Sequence, residues 1–436
     1  MKIPKRIASA VINSLKGGVV PRVGLPYIAV GREKEIDALL RDAEIIEEGG
    51  ASFRFIVGKF GSGKSFLVQT VRNYVMDRGF AVADADLSPE RRLQGTKGQG
   101  LATYKELIKN LAVKTRPEGG ALTLILDKWI SGIMSEVAAE GVSPDSPGFE
   151  RAVEGKISQV ISGLSEMVHG FDFSRLLTLY YRSYAQGDDE MKSKVVKWFR
   201  GEYSTKTEAR AELGVNIIIT DDDWYEYIKL FSFFLRRAGY SGMLIIIDEL
   251  INIYKIPNSI TRQYNYEKIL TMYNDTLQGK AQNLGIIMCG TPQSVEDNRR
   301  GVYSYEALRS RLAEGKFGGQ YSDMLSPVIR LTPLSHEEML VLTEKLAAIH
   351  AELFDYKQTV TENDLAEFIK IEYGRIGADT QITPREVIRD FIEVLNIIYQ
   401  HPGVTVGELL GSGDFQFASP EPEGGNAAEE FAEFDI

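Results

Sequence analysis

The sequence has little cysteine and little histidine: Cys289 is the single cysteine of 436 residues, and the four histidines are scattered. One cysteine excludes a disulfide framework and a Cys-rich zinc module, and the histidines lack the spacing of metal ligands. This cysteine usage is typical of a reducing compartment, so we expect a cytoplasmic protein. No apolar run approaches the roughly 20 residues of a membrane-spanning helix, and none resembles a secretory signal, so we expect no membrane attachment.

Basic residues are also fewer than acidic ones, 50 against 61, which gives a net charge of −11. This balance argues against a protein that coats nucleic acid through its overall charge. The charge is uneven, because residues 414–436 contain seven acids and no Lys or Arg. We expect residues 411–436, rich in Gly, Pro and acids, to form a disordered tail, while the rest of the chain can still carry a local basic patch.

The strongest motif follows a compact apolar run at residues 53–57 and opens an amphipathic helix. It reads Gly58-Lys59-Phe60-Gly61-Ser62-Gly63-Lys64-Ser65, continued by Phe66. This is the complete P-loop pattern in its required strand-to-helix context, and it predicts an ATP site that includes all nine residues. Backbone N–H groups and the helix N-terminus hold phosphate oxygens, Lys64 reaches the terminal phosphates, and the Ser65 hydroxyl is a ligand of Mg²⁺.

Two acids follow a second apolar run, residues 244–247. Asp248 is predicted to hold Mg²⁺, and Glu249 is placed to polarise an attacking water molecule. The alternative is that two acids merely end a buried strand, and the presence of a P-loop in the same chain disfavours it. Together the two motifs predict an ATPase.

Four further residues extend the predicted catalytic set. Thr291, after the next apolar run, is predicted to orient the attacking water or, alternatively, only to cap a strand end. Arg309 and Arg311 are predicted fingers for the γ-phosphate of an adjacent subunit, or else solvated or ion-paired arginines. Arg385, in the first turn of a later helix, is predicted to reach the same phosphates or to serve only a structural role.

The pattern of elements predicts an α/β fold. Five short apolar runs, at residues 53–57, 80–83, 243–247, 284–288 and 328–331, predict one parallel sheet of a P-loop NTPase. Residues 88–242 have helical periodicity, with 215–219 as the one further strand candidate. Capping boxes at Ser335 with Glu338 and at Thr383 with Glu386 begin predicted helices. We therefore expect an N-terminal segment (1–30), an ATPase domain (31–334) with a helical insertion, and a helical lid (335–410).

At this point the chain resembles the AAA+ ATPases, especially their origin-recognition and Cdc6-like branch. The resemblance rests on the order of the P-loop, the Asp248-Glu249 strand, a polar sensor at Thr291, and arginines before and after the fifth strand. It implies that a Gly31-Arg32-Glu33 box lies against the adenine, that Arg309 or Arg311 is the finger, and that Arg385 belongs to the lid.

Residues of about 5–410 look more closely like the ATP-binding proteins of bacteriophage-exclusion (BREX) defence loci. The likeness is carried by Val19 to Leu25, the P-loop, Asp86 to Gly95 and Ala307 to Leu312. It implies a prokaryotic antiviral ATPase that is often encoded beside a helicase.

From these motifs we expect ATP turnover to be coupled to remodelling or loading of a DNA or helicase complex. The expected partners are further copies of the chain and a helicase or other defence protein, with direct DNA contact left open. One alternative is an ATP-switched scaffold with slow hydrolysis and no DNA contact. A second is a P-loop phosphotransferase, which the acid pair and the arginines disfavour.

Two basic and aromatic segments are the candidates for nucleic-acid contact. The first combines Lys192, Lys194, Lys197 and Arg200 with Trp198 and Phe199, and the second contains Tyr254, Lys255, Arg262, Tyr264, Tyr266 and Lys268. Each could contact a phosphate backbone, but a solvated helix face is the better interpretation of the first, and structural side chains of the second.

Overall fold

The computed structural model of the chain describes residues 3–312, 323–374, 383–411 and 415–418. Its centre is a five-stranded parallel sheet with the strand order β2-β3-β4-β1-β5. This sheet confirms the predicted α/β class. The strands are β1 (Ala51–Val57), β2 (Ala81–Asp86), β3 (Met243–Asp248), β4 (Leu284–Gly290) and β5 (Val328–Arg330).

The strands form where short apolar runs can be buried on both faces, as parallel sheets require. All seven residues of β4 are buried, and so are the first five residues of β3. The parallel register between β2 and β3 pairs Ala81 with Met243 and Asp86 with Asp248. Both strands therefore end in an aspartate at the same edge of the sheet.

Helices make up most of the remaining described residues. In chain order they are α1 (Lys5–Lys16), α2 (Leu25–Ile28), α3 (Glu33–Glu47), α4 (Lys64–Asp77), α5 (Gln99–Lys109), α6 (Leu122–Ala139), α7 (Phe149–Ile161), α8 (Gly170–Gln186), α9 (Asp189–Phe199), α10 (Lys206–Leu213), α11 (Trp224–Arg237), α12 (Ile251–Tyr254), α13 (Ser259–Leu277), α14 (Pro292–Glu296), α15 (Glu306–Leu312), α16 (His336–Phe354), α17 (Glu362–Gly374), α18 (Pro384–Gln400) and α19 (Val406–Gly411). Among these described helices, none combines the length and apolar character needed to cross a membrane.

The region between β2 and β3 is helical, as its periodicity predicts, and contains α5 to α11. The strand candidate at residues 215–219 was wrong, because this stretch has no regular secondary structure. Val215 and Ile219 are 1% and 2% exposed. The Ile217 carbonyl accepts a hydrogen bond of 2.9 Å from the Trp198 indole. Two of its apolar side chains are buried, and its Ile217 carbonyl pairs with a side chain of α9 instead of a strand.

Spatial contacts between residues divide the chain into two compact units. The first comprises Met1–Leu39, Ile56–Val71 and Gly319–Ile436, and the second comprises Leu40–Phe55 and Arg72–Gly318. The P-loop therefore belongs to the first unit, together with the N-terminal residues and the helices that follow β5. The Asp248-Glu249 pair belongs to the second.

The core of the first unit joins the N-terminal helices to the C-terminal ones. Ala8, Val11 and Ile12 of α1 are at most 2% exposed and pack with Leu25 and Ile28 of α2 in one cluster with α16 to α19. Residues 3–28 thus contribute directly to this helical core.

Both predicted capping boxes are present in this unit. The Ser335 hydroxyl accepts from the Glu338 N–H at 3.1 Å, and the Glu338 carboxylate accepts from the Ser335 N–H at 2.7 Å. Thr383 and Glu386 form the same reciprocal pair at the start of α18. Each box satisfies backbone donors that the first turn of a helix leaves unpaired, which fixes where α16 and α18 begin.

Most of the predicted acidic tail lies outside the described residues. Of residues 411–436, the structure describes Gly411 and the stretch 415–418. Phe415 and Phe417 pack against the helical core of the first unit, and the Ala418 N–H donates to the Asp390 carboxylate at 2.9 and 3.0 Å.

A buried histidine is expected to make the free energy of unfolding of the first unit dependent on pH. His350 of α16 is fully buried; Nε2 lies 3.2 Å from Asn396 Oδ1, and Nδ1 lies 2.9 Å from the Tyr356 hydroxyl. Burial lowers the pKa of His350 below its ordinary value of 6.5. The imidazole of the folded protein therefore takes up a proton less readily than that of the unfolded chain. The free energy of unfolding is highest above pH 6.5 and decreases as the pH falls below this value.

We expect the thermal midpoint to fall between pH 7.5 and pH 5.5, and to fall less in His350→Gln, which cannot titrate. The free energies of unfolding of the two proteins should diverge by no more than about 1.4 kcal/mol for each pH unit. Identical pH dependence in the two proteins would show that His350 does not contribute. Replacement of the exposed His401 by Gln is the matched control and should leave the wild-type dependence intact.

Candidate functional site

The P-loop connects the buried strand β1 to helix α4 through residues 58–63. Gly61 has a φ of 75°, a left-handed conformation that favours glycine. A Cβ on Gly58 would overlap the Ser62 hydroxyl and lie 3.3 Å from Leu331 Cβ. The glycines therefore allow the loop to close tightly in front of the N-terminus of α4, where backbone N–H groups attract phosphate oxygens.

Lys64 folds back over this loop. Its ammonium group donates hydrogen bonds of 2.8 Å to the carbonyls of Gly58 and Lys59, and the residue is only 9% exposed. The ammonium also lies 5.4 Å from the centre of the Phe60 ring. A buried positive charge held by carbonyl oxygens at a loop of glycines is well suited to an anionic ligand.

Ser62 provides an independent indication of a ligand. Its Oγ is buried and has no hydrogen-bond partner in the described part of the chain. Buried hydroxyls are normally hydrogen-bonded, so an orphaned one marks a place where a ligand or water is expected. Together with the glycine cradle and Lys64, this atom makes the loop fit the phosphates of ATP.

The other predicted residues of the loop differ in exposure. Lys59 and Ser65 are exposed, so the Ser65 hydroxyl is accessible to a metal ion at the start of α4. Phe66 is half-buried and packs against the helical core of the first unit. The structure thus gives Phe66 a packing contact, and its predicted role in binding the nucleotide stays a prediction.

Arg32 lies under the P-loop. Its Nη2 donates to the carbonyl of Ser62 at 3.1 Å and to the carbonyl of Thr332 at 2.9 Å, and Nη1 pairs with Glu35 at 3.3 Å. The residue is 4% exposed. Arg32 therefore joins the start of α3, the P-loop and the segment after β5, three places that are distant in the sequence.

Gly31, the neighbour of Arg32, faces the first helix after β5. A Cβ on Gly31 would lie 2.5 Å from Glu338 Oε1 and 2.9 Å from Leu334 Cδ2. Glu33 is the exposed first residue of α3. The contact of this box with adenine, which the AAA+ resemblance implies, stays a prediction.

The start of α18 contacts the P-loop within the same unit. A Cβ on Gly61 would overlap the Thr383 hydroxyl and lie 3.1 Å from Arg385 Cβ. The predicted lid arginine is therefore next to the phosphate-binding turn. The contact of Thr383 with Gly61 was missed from the sequence, because a capping box indicates where a helix begins and not what it touches.

In the second unit, the predicted acids end β3 in a constrained turn. Asp248 Oδ1 accepts a hydrogen bond of 2.7 Å from the Glu249 N–H. Glu249 has a φ of 61°, a left-handed conformation that costs a non-glycine residue on the order of 1–2 kcal/mol. Such strain is concentrated at functional sites, and here it falls on the residue predicted to polarise the attacking water.

A residue after the acids also contributes to this turn. The Leu87 N–H donates to the Asp248 carbonyl at 3.0 Å, and the Asn252 amide donates to the Leu87 carbonyl at 2.8 Å. These bonds attach the segment after β2 to the end of β3. Asn252 was not predicted from the sequence. Its one distinguishing feature there is that it lies three residues after Glu249.

Thr291 caps α14. Its hydroxyl accepts from the Ser294 N–H at 3.2 Å, the Ser294 hydroxyl accepts from the Thr291 N–H at 2.9 Å, and Thr291 is 5% exposed. The structure thus gives Thr291 a capping role at the start of a helix, whereas the alternative from the sequence was a cap of the strand end. Orientation of a water molecule by Thr291 stays a prediction.

Arg309 and Arg311 are both exposed near the end of α15. Arg311 donates to the Ala307 carbonyl of its own helix at 2.7 Å. In the described part of the chain, neither side chain forms an ion pair. Both side chains are therefore accessible to another molecule.

Five of the six side chains of the first basic segment are ion-paired or buried. Lys194 pairs with Glu190 at 2.6 Å, and Lys197 pairs with Glu208 at 2.6 Å. Trp198 is 1% exposed, which prevents it from stacking on a base. Lys192 likewise pairs with two aspartates, and Phe199 is fully buried.

The second segment is also largely occupied by internal contacts. Arg262 is 8% exposed and donates to the Ile256 carbonyl at 2.7 Å, and Lys268 donates to the Asp222 carbonyl at 2.8 Å. Tyr266 is buried, whereas Tyr264 is exposed. Structural roles, the interpretation favoured from the sequence, describe these contacts well.

Within the described ranges, no group of three or more His, Cys, Asp or Glu side chains is arranged to hold a metal ion. The predicted Mg²⁺ ligands, Ser65 and Asp248, are of a different kind, since a P-loop cation uses one hydroxyl, one carboxylate and phosphate oxygens.

Comparison with known proteins agrees with this set of motifs. No curated protein sequence matches the chain significantly. The family model described as BREX system ATP-binding protein BrxC/D matches residues 3–414, which is nearly the whole chain. The match includes the P-loop, the acid pair and the arginines of both units. The chain therefore belongs to the family of BREX system ATP-binding proteins BrxC/D.

Proposed function

We propose that this protein hydrolyses ATP as an AAA+ ATPase and couples turnover to remodelling or loading of a DNA or helicase complex in anti-phage defence. Family membership implies ATP binding and a defence role. The observation that carries the proposal is the P-loop itself, in which Lys64 is held over a glycine cradle and the Ser62 hydroxyl is buried without a partner.

The residues of the proposed reaction follow from the motifs. Lys64 binds the terminal phosphates, and Ser65 and Asp248 are the proposed ligands of Mg²⁺, which supplies charge neutralisation when bound. Glu249 accepts the proton of the attacking water. Thr291 is proposed to orient that water, and Arg385 to contact the phosphates from the lid.

A shared site between subunits is the second part of the proposal. It is supported by the exposure of Arg309 and Arg311, because a finger must reach a neighbouring molecule. The proposed partners are further copies of the chain and a helicase or another defence protein.

ATP hydrolysis should be measured with and without single- and double-stranded DNA, beside the mass of the protein under ATP. We expect an ATP-dependent oligomer, stimulation by DNA, and loss of turnover in Arg311→Ala or Arg309→Ala, whichever is the finger. The exposed Arg210, in the helical region between β2 and β3, provides the matched control as Arg210→Ala. A slow hydrolysis rate that is unchanged by DNA and by either finger substitution would refute the shared-site mechanism.

A second candidate is an ATP-switched scaffold with slow hydrolysis and no direct DNA contact. The pairing of Lys194 and Lys197 with acids and the burial of Trp198 favour it, because they remove the most basic aromatic segment from nucleic-acid binding. In this case ATP alone would drive assembly, and DNA would leave the hydrolysis rate unchanged.

A further inference from the structure

We infer that Arg32 is a positioning residue that fixes the phosphate-binding shape of the P-loop. The inference deepens the proposed ATP site and rests on it. It differs from the role implied by the AAA+ resemblance, in which the box around Arg32 contacts the adenine. The two roles predict different ligand dependence and can be separated by experiment.

Both terminal nitrogens of the Arg32 guanidinium donate hydrogen bonds within the protein. Nη2 is shared between the Ser62 and Thr332 carbonyls at 3.1 and 2.9 Å, and Nη1 faces Glu35 at 3.3 Å. Glu35 is 6% exposed and compensates the buried guanidinium charge. With 4% of its surface exposed, Arg32 offers a base almost nothing to contact.

The bond to Ser62 controls a donor of the P-loop. The peptide between Ser62 and Gly63 is trans, since the described chain contains no cis peptide bonds. In a trans peptide the C=O and the following N–H point in opposite directions. Because Arg32 holds the Ser62 carbonyl, the Gly63 N–H is turned away from Arg32, as required of a loop that presents backbone donors to phosphate.

The bond to Thr332 anchors the same guanidinium to a second segment. Thr332 follows β5, and the neighbouring Leu331 N–H donates to the Val57 carbonyl at the end of β1 at 2.8 Å. Arg32 therefore connects the segment after β5, which is hydrogen-bonded to the end of β1, with the P-loop turn at Ser62. A lysine could not replace it, because one ammonium lacks the planar fork that reaches two carbonyls and a carboxylate together.

The consequence is that loss of Arg32 weakens phosphate binding whatever base is attached. Mg²⁺-ATP and Mg²⁺-tripolyphosphate are the two probes, because tripolyphosphate has the phosphates without base or ribose. Their dissociation constants should be measured by calorimetry for the wild type, Arg32→Lys and Arg32→Gln. The exposed neighbour Lys34 provides the matched control as Lys34→Gln.

We expect both Arg32 variants to lose affinity for the two probes by the same factor, on the order of ten- to a hundredfold, while Lys34→Gln binds like the wild type. Arg32→Lys keeps the positive charge beside Glu35, so it tests the geometry even where the neutral variant does not fold. Thermal unfolding without nucleotide shows which variants are folded.

A loss confined to ATP would overturn the inference and assign Arg32 to the base. Unchanged affinity for both probes would also overturn it, and so would a wild type that binds ATP but not tripolyphosphate. A wild type that binds neither probe would refute the proposed ATP site itself.

Discussion

Replacing Lys64 with alanine is expected to weaken ATP binding by about a hundredfold or more and to reduce hydrolysis to background. The ammonium is placed over the P-loop by bonds of 2.8 Å to the Gly58 and Lys59 carbonyls. Exchange of these carbonyls for phosphate oxygens replaces neutral acceptors by charged ones, which strengthens the hydrogen bonds. Alanine removes the charge and the ammonium group that donates these hydrogen bonds.

The affinity for ATP should be measured by calorimetry and turnover by phosphate release. Lys357→Ala provides the control, because Lys357 is an exposed lysine of the same unit, between α16 and α17. Hydrolysis at the wild-type rate in Lys64→Ala would show that the P-loop is not the catalytic site, and would remove the basis of the proposed function.

Replacing Glu249 with glutamine is expected to lower the hydrolysis rate by about 10²- to 10⁴-fold, the usual contribution of a general base, while ATP remains bound. The turn is constrained by the left-handed backbone of Glu249 and by the bond from its N–H to Asp248. Glutamine has the size of glutamate and the same backbone demands. The substitution therefore changes the proton-accepting group with little change in the turn.

The variant Glu249→Gly separates the carboxylate from the backbone strain. Glycine adopts a φ of 61° without cost, so this variant keeps the turn and also loses the carboxylate. Both variants should be equally inactive, and Glu306→Gln, at an exposed glutamate of the same unit, should behave like the wild type. Full activity in either Glu249 variant would contradict the proposed base.

Glu249→Gln also distinguishes the two proposed functions. A remodelling or loading machine needs turnover and should lose its output in this variant. A scaffold that is locked by ATP should keep its assembled state or hold it longer. The measurement is the mass of the complex with ATP over time, beside the hydrolysis rate of the same sample.

The elements nearest the proposed chemistry were predictable because their signals are local. The P-loop demands glycines at a strand-to-helix turn, and the structure has such a turn between β1 and α4. The capping boxes at Ser335 and Thr383 were predicted from residues three apart, and both are formed. Local signals failed at residues 215–219, because a buried apolar run satisfies the same pattern in a strand and in an irregular segment.

Charge patterns were the least informative. For Lys194 and Lys197 the sequence left two interpretations open, a solvated helix face, which was favoured, and a nucleic-acid contact. In the fold, Glu190 and Glu208 form ion pairs with the two lysines. An ion pair to a residue on another helix, as between Lys197 and Glu208, has no fixed spacing, so the sequence could not identify it. The same limit applies to the start of α18, where the contact of Thr383 with Gly61 joins residues 322 positions apart.

The sequence by itself determined the fold class, the ATP-binding motif and the family, since each depends on residues adjacent in the chain or at short fixed spacings. The tertiary structure alone decided that Arg32 braces the Ser62 carbonyl, that α1 and α2 complete the core of the C-terminal helices, and that Trp198 is buried. These contacts join segments that are distant in the sequence. They form only when the whole chain folds, because burial of apolar surface and pairing of buried charge then select which segments pack together.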